Sequence, residues 1–234
     1  MLGGGCWHEE AWAWVTVDVL GSTAVRTVTL AHAQRARAKL QEQYARSFRV
    51  LPAVGAEHVI AEADGTMICT VAPGPRKGKR PRAWEKMRLV AAQAKDSATT
   101  FYGATFGSVE ETGRRWGHCA RQAGWGLNSQ LHVVADGAEW IPLQSQEVFG
   151  QQATLLCDFF HVSEYISNRK DALDYPRVLA LGLPIGSGMI ESGHRHVLQA
   201  RLKKAGTAWL HDHADQIAHL RVLRANHQWE ALWN

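Results

Sequence analysis

The stretch LPIGSGMIESGHRHVLQARLKKAG, Leu183 to Gly206, decides how the rest of the chain is read. Pro184, Gly186 and Gly188 break any preceding element, and Ser187 or Gly188 can serve as N-cap, which predicts a helix from about Met189 to Gly206. At about 100° per residue, Glu191, Arg195, Leu198 and Leu202 fall on one face. A carboxylate thus heads a stripe whose later members read as core, a costly place for a charge unless it is paired or holds a metal. An isolated Glu in a first turn is accounted for by the helix dipole alone. The reading changes because two further acids, Asp64 and Asp136, sit at the ends of apolar runs elsewhere in the chain.

Working outward, LHVVADG (Leu131 to Gly137) reads as a buried strand closing on Asp136, and ATLLCDFFH as another, closing on Asp158 and His161. Ala138 to Phe149 between them reads as a helix. HVIAEADGTMICTV, from His58, alternates apolar and polar positions around Asp64-Gly65 and predicts a hairpin with Asp64 at its turn. Trp84 to Ala92 supplies a third antiparallel strand. Ser108, with Glu111 three residues on, opens a helix over Ser108 to Ala123 with a capping-box start. A last helix pair covers 189–205 and about Asp212 to Trp233, joined at Gly206-Thr207. Three antiparallel strands followed by alternating helices and parallel strands predict a three-layer α/β domain with a mixed five-stranded sheet. That domain is expected over 57–234. Residues 1–56 read as an N-terminal remnant, with a surface helix over Leu30 to Phe48 and a start of no clear period through Gly21.

Composition bounds the function. A 46% hydrophobic content is ample for a core, and no apolar run approaches the roughly 18 residues needed to span a bilayer. The four cysteines are dispersed and form no metal-type pair, as in a reduced, cytoplasmic protein. The net charge of +4 is unevenly placed. Arg76, Lys77, Lys79, Arg80, Arg82, Lys86 and Arg88 crowd one stretch with a single acid, and Arg195, Arg201, Lys203 and Lys204 come after Glu191. Such clusters suit a polyanion.

One Asp-Gly after a strand is a turn signal and nothing more. Two, with a Glu on the inner face of a later helix, bring like charges together if the strands are neighbours, and a cation is then needed. Carboxylate donors without cysteines or a dense histidine set favour Mg²⁺ or Mn²⁺. Two such ions about 3.5–4 Å apart activate a hydroxyl on one side of a phosphodiester and stabilise the leaving oxygen on the other. Basic residues nearby hold the nucleic-acid backbone. His194/His196 and His211/His213 stand at i, i+2, on different helix faces, which argues against a metal role. Arg195 is placed to neutralise Glu191 as an i, i+4 pair, Gly193 to admit a close neighbour, and Trp116, Trp125, Trp209, Trp229 and Trp233 to anchor core or interface.

On Asp64, Asp136, Asp158-Phe159-Phe160-His161, Glu191 in GSGMIES, and the runs YGATFGSVEETGRRWGHCA and DFFHVSEY, the chain resembles the DDE transposases of bacterial insertion sequences. The resemblance is to the Kra group within the Mutator-like set, and it covers about His58 to the C-terminus. It implies a ribonuclease-H-like core, two Mg²⁺ or Mn²⁺ ions on Asp64, Asp136 and Glu191, and His161 near the scissile phosphate. It also implies metal-dependent DNA strand cleavage and strand transfer, with Arg76, Lys77, Lys79, Arg80, Arg195, Arg201, Lys203 and Lys204 on DNA. The protein would work on transposon ends and target DNA as a homo-oligomer, in the bacterial cytoplasm at the nucleoid. Two departures stand out. The N-terminal region lacks a convincing helix-turn-helix, and the helical insertion of relatives between His161 and Glu191 is mostly absent. These keep open a catalytically inactive remnant that binds DNA or a partner as a regulator, and a stand-alone ribonuclease-H-like nuclease.

Overall fold

The structure is a computed structural model and describes residues 30–73, 80–159 and 173–233. Its centre is a mixed six-stranded sheet. The main strands are β1 (His58–Val71), β2 (Arg82–Ala94), β3 (Thr100–Thr105), β4 (Gln130–Ala135) and β5 (Ala153–Cys157), in the spatial order β3-β2-β1-β4-β5. β1, β2 and β3 pair antiparallel, while β4 and β5 run parallel to β1. The sixth, β6 (Trp209–Leu210), pairs parallel with the end of β1.

Two expectations from the sequence are corrected. His58 to Val71 is one unbroken 14-residue strand, with Asp64 mid-strand opposite Leu89 of β2 rather than at a hairpin turn. Gly65 fits there because the Lys86 stem lies against it, with Lys86 Cδ 3.1 Å from where a Cβ would stand. The pairing that the hairpin reading assigned within β1 is supplied by β2, and the third antiparallel strand is β3, TFYGAT, which the sequence reading passed over.

The helices complete three layers. On one face α2 (Val109–Gln122) and α3 (Trp140–Phe149) cover the odd-numbered β1 residues Val59, Ala61 and Ala63, with Trp116 fully buried between. The Ser108 hydroxyl accepts the Glu111 N–H at 3.3 Å, the N-cap its spacing predicts. On the other face lie α1 (Leu30–Ala45), α4 (Tyr175–Ala180), α5 and α6 (His211–Ala225). α5 is composite, with α-helical Gly188–Gly193, π-helical His194–Gln199 and a last α-turn at Ala200–Leu202. The π segment adds a residue to the turn and breaks the 100° phase. The single face drawn through Glu191, Arg195, Leu198 and Leu202 is therefore split: Glu191 and Arg195 are exposed, whereas Leu198 and Leu202 are buried.

The helix at residues 30–45 is more than a surface appendage. Ala33, Ala36 and Leu40 join the core formed with α5 and α6, and Arg37 Nε lies 3.2 Å from Asp215 Oδ2 of α6. No structural break falls at residue 56, since the Ala56 N–H bonds Gly124 and the Leu127 N–H bonds Pro52. The free edge of β3 is closed by side chains. Asn226 accepts the Tyr102 N–H at 2.7 Å and donates to the Tyr102 carbonyl at 2.9 Å, and Arg115 donates to the Ala104 carbonyl. Among the described residues no helix is long and apolar enough to cross a membrane.

Candidate functional site

Three acids follow the ends of the parallel ladders that join β1, β4 and β5. The β1–β4 ladder ends at Glu62 opposite Val134, and Asp64 and Asp136 each come two residues later. The β4–β5 ladder ends at Ala135 opposite Cys157, and Asp136 and Asp158 come next. Side chains in register on neighbouring strands share a face. Here it is the face of α5: Glu62 Oε2 accepts the Ile190 N–H at 2.7 Å, and Asp158 Oδ2 accepts the Ser187 N–H at 2.8 Å and the Ser187 hydroxyl.

α5 therefore begins on two acids. Its first N–H groups lack intrahelical partners, and the expected cap, Ser187, makes no side-chain bond to them because its hydroxyl is turned to Asp158. The Glu62 carboxyl, 1% exposed, takes that role from another strand. Burial is the main reason its pKa is pushed up to about 8. The nearby Asp158 and Glu191 push the same way, and the N–H groups of Ile190 and Met189 partly offset them. Asp158 is 0% exposed, and the Phe159 N–H, donating to Ile185 at 3.0 Å, fastens the strand end to the approach of α5.

Of the expected acids, Asp64 is half-buried, with Oδ1 accepting the Gly65 N–H and Oδ2 standing 3.1 Å from His194 Nε2. Among the described residues neither ring nitrogen of the buried His194 makes a hydrogen bond. Asp136 accepts the Ala138 N–H at 3.1 Å through Oδ1. Glu191 is exposed in the first turn of α5. Asp64, Asp136 and Glu191 therefore share one end of the sheet. Even so, among the described residues no three Asp, Glu, His or Cys side chains are gathered closely enough to hold one ion. No Glu191–Arg195 ion pair occurs among the described residues.

His161, Arg76, Lys77 and Lys79 lie outside the described residues. Arg80 is half-buried just before β2, and Arg195 and Lys204 are exposed. Arg201 lies 5.1 Å over the Trp209 ring, and Lys203 Nζ donates to Thr66 Oγ1 at 3.0 Å. Because β6 pairs with Thr70 and Val71, the basic end of α5 lies beside the root of the basic 76–88 stretch.

Glu62 and His194 are the site residues that sequence reasoning missed, and Asp158 appeared in it only as part of a motif. Glu62 had a legible signal: it stands two residues before Asp64, hence on the same strand face, as an acid inside an apolar run. His194 had one too: it stands four residues after Ile190 and four before Leu198, on the buried face of α5. Comparison of the chain with family models, curated proteins and solved structures returns no match.

Proposed function

We propose that the chain is a DDE transposase catalytic domain with a ribonuclease-H-like core, which cleaves DNA strands and joins the freed 3′-hydroxyl to target DNA. The observation that carries this reading is the row of Asp64, Asp136 and Asp158 on neighbouring parallel strands, facing the helix that bears Glu191. Three antiparallel strands followed by alternating helices and parallel strands agree with it, as does the basic end of α5. The oxygen donors suit Mg²⁺ or Mn²⁺. Since the carboxylates form no coordination group as they stand, ion binding requires these side chains to rearrange, with Asp64 exchanging its contact with His194. The ions would supply activation of the attacking oxygen and stabilisation of the leaving one.

The Asp64–His194 contact favours one second reading, an inactive transposase remnant that binds DNA without cutting it. Calorimetric titration of Mn²⁺ into the wild type and Asp136→Ala, then incubation of both with labelled DNA, separates the two. Ion binding and nicking that vanish in the variant support the catalytic domain. No ion bound and no strand cut by either protein, with DNA still retained, supports the remnant.

A further inference from the structure

The β1–β2 hairpin has two unlike faces. Glu85 marks one: its carboxylate accepts the Thr70 hydroxyl at 2.5 Å and lies 2.7 Å from His211 Nδ1 of α6. Trp84 and Lys86, its neighbours in β2, therefore stand on the opposite face, with Met67 and Cys69 of β1 beside them. Trp84 is 62% exposed and Met67 39%, whereas Cys69, paired with Trp84, is buried. The Lys86 stem lies along Gly65, so it leans toward the inner end of this face, on the side of Trp84 away from Arg82. Arg82 is exposed on the same face nearer the hairpin end. Arg88 closes the inner end, donating to the Gly107 carbonyl at 2.9 Å, with its guanidinium 5.6 Å from the Trp140 ring centroid and Glu110 of α2 nearby. The strand residues of this face include no acid.

An exposed indole flanked by cations fits a particular partner. Tryptophan, methionine and arginine also serve protein–protein interfaces; what favours a polyanion here is that the cations of this face have no acid among the strand residues beside them. A duplex keeps its base faces stacked inside, so it offers phosphates to Arg82 and Lys86 but nothing to Trp84. Unpaired nucleotides offer both phosphates and a free π-face. We propose that this face of the β1–β2 hairpin binds single-stranded nucleic acid, with a base stacked on Trp84 and the flanking phosphates on Arg82 and Lys86. The surface lies across the sheet from Asp64 and Asp136, so the proposal goes beyond the catalytic reading and does not depend on it.

The test is fluorescence anisotropy of a labelled oligothymidylate with the full chain in EDTA, at several salt concentrations. Trp84→Ala should weaken binding roughly tenfold while Trp84→Phe keeps most of it. Arg82→Ala and Lys86→Ala should each flatten the salt dependence by about 0.7 in log–log slope. The assay runs in EDTA, which leaves no divalent ion for Asp64, Asp136 and Glu191, so failure of the catalytic reading leaves this result intact. Circular dichroism checks that each variant is folded. Equal affinity of the wild type and Trp84→Ala overturns the proposal, as does equally tight binding of a duplex of the same length. A wild-type dimer in sedimentation that Trp84→Ala dissolves also overturns it, by making this face an interface between copies.

Discussion

The carboxyl of Glu62, in β1, accepts the backbone N–H of Ile190, in the first turn of α5, at 2.7 Å. A residue from the central strand thus caps the helix that carries Glu191, and together with the Asp158–Ser187 bonds it sets the two sides of the site relative to each other. Glu62→Ala leaves that N–H unsatisfied and should cost about 1–3 kcal/mol in chemical denaturation. Glu62→Gln keeps an acceptor in place and should recover most of the loss.

The same carboxyl makes stability depend on pH. Its pKa rises from 4.5 to about 8 on folding, so the folded chain holds the proton more tightly than the unfolded one. Its contribution is complete below pH 4.5, falls as pH rises, and is gone above about 8. Relative to Glu62→Gln, the wild type should lose stability across that window. Parallel difference curves for the two proteins would exclude Glu62 as the source.

Ser187→Ala removes the hydroxyl bond that Asp158 accepts and leaves the Ser187 backbone N–H in place. A lost bond to a buried charged group should cost about 1.5–3 kcal/mol in thermal or urea unfolding. If the chain nicks DNA, the variant should also nick more slowly, because the start of α5 and Glu191 lose part of their anchorage. Unchanged stability would mean that Asp158 holds α5 through the backbone alone.

Gly193 ends the first α-helical part of α5 against β2 and β3. A Cβ there would stand 2.6 Å from Tyr102 Cε1 and 3.0 Å from Leu89 Cδ2. Gly193→Ala should destabilise the chain by roughly 1–3 kcal/mol through overpacking, in spite of the better helix propensity of alanine. Gly188→Ala is the control, since no atom of the described residues lies within 4 Å of its Cβ position.

Asn226 is the side chain that completes the outer edge of β3. Asn226→Ala leaves the Tyr102 N–H and carbonyl open and should cost about 1–3 kcal/mol. It should also raise concentration-dependent light scattering, because an unpaired strand edge templates association.

The parallel half of the domain was legible in the sequence because each of its strands is a short apolar run ending on an acid. The runs LHVVA and ATLLC, the cap at Ser108 and the close approach at Gly193 arise from local chemistry and stand as expected. Asp64-Gly65 misled because Asp-Gly is a hairpin signal by local propensity, while in this sheet the Lys86 stem and a long partner strand keep it extended. β3 was hidden by its small and aromatic mixture, and the bonds that complete its outer edge come from Asn226, far away in sequence. The site was half legible: the acids that follow apolar runs could be named, while the buried places of Glu62 and His194 had to be read from spacing, two residues from Asp64 and four from Ile190.

The π segment of α5 lies inside a helix seated along its whole length. The first turn is placed by Glu62 and Asp158, yet Ile190, beside Glu191, is buried in the same core cluster as Leu198 and Leu202. The wide turn absorbs a difference in phase between the two ends, as a vernier joins two scales that do not share a spacing. A change to the core under Leu202 is therefore carried through Ile190 to the acid-bearing turn, so that core and site move as one piece.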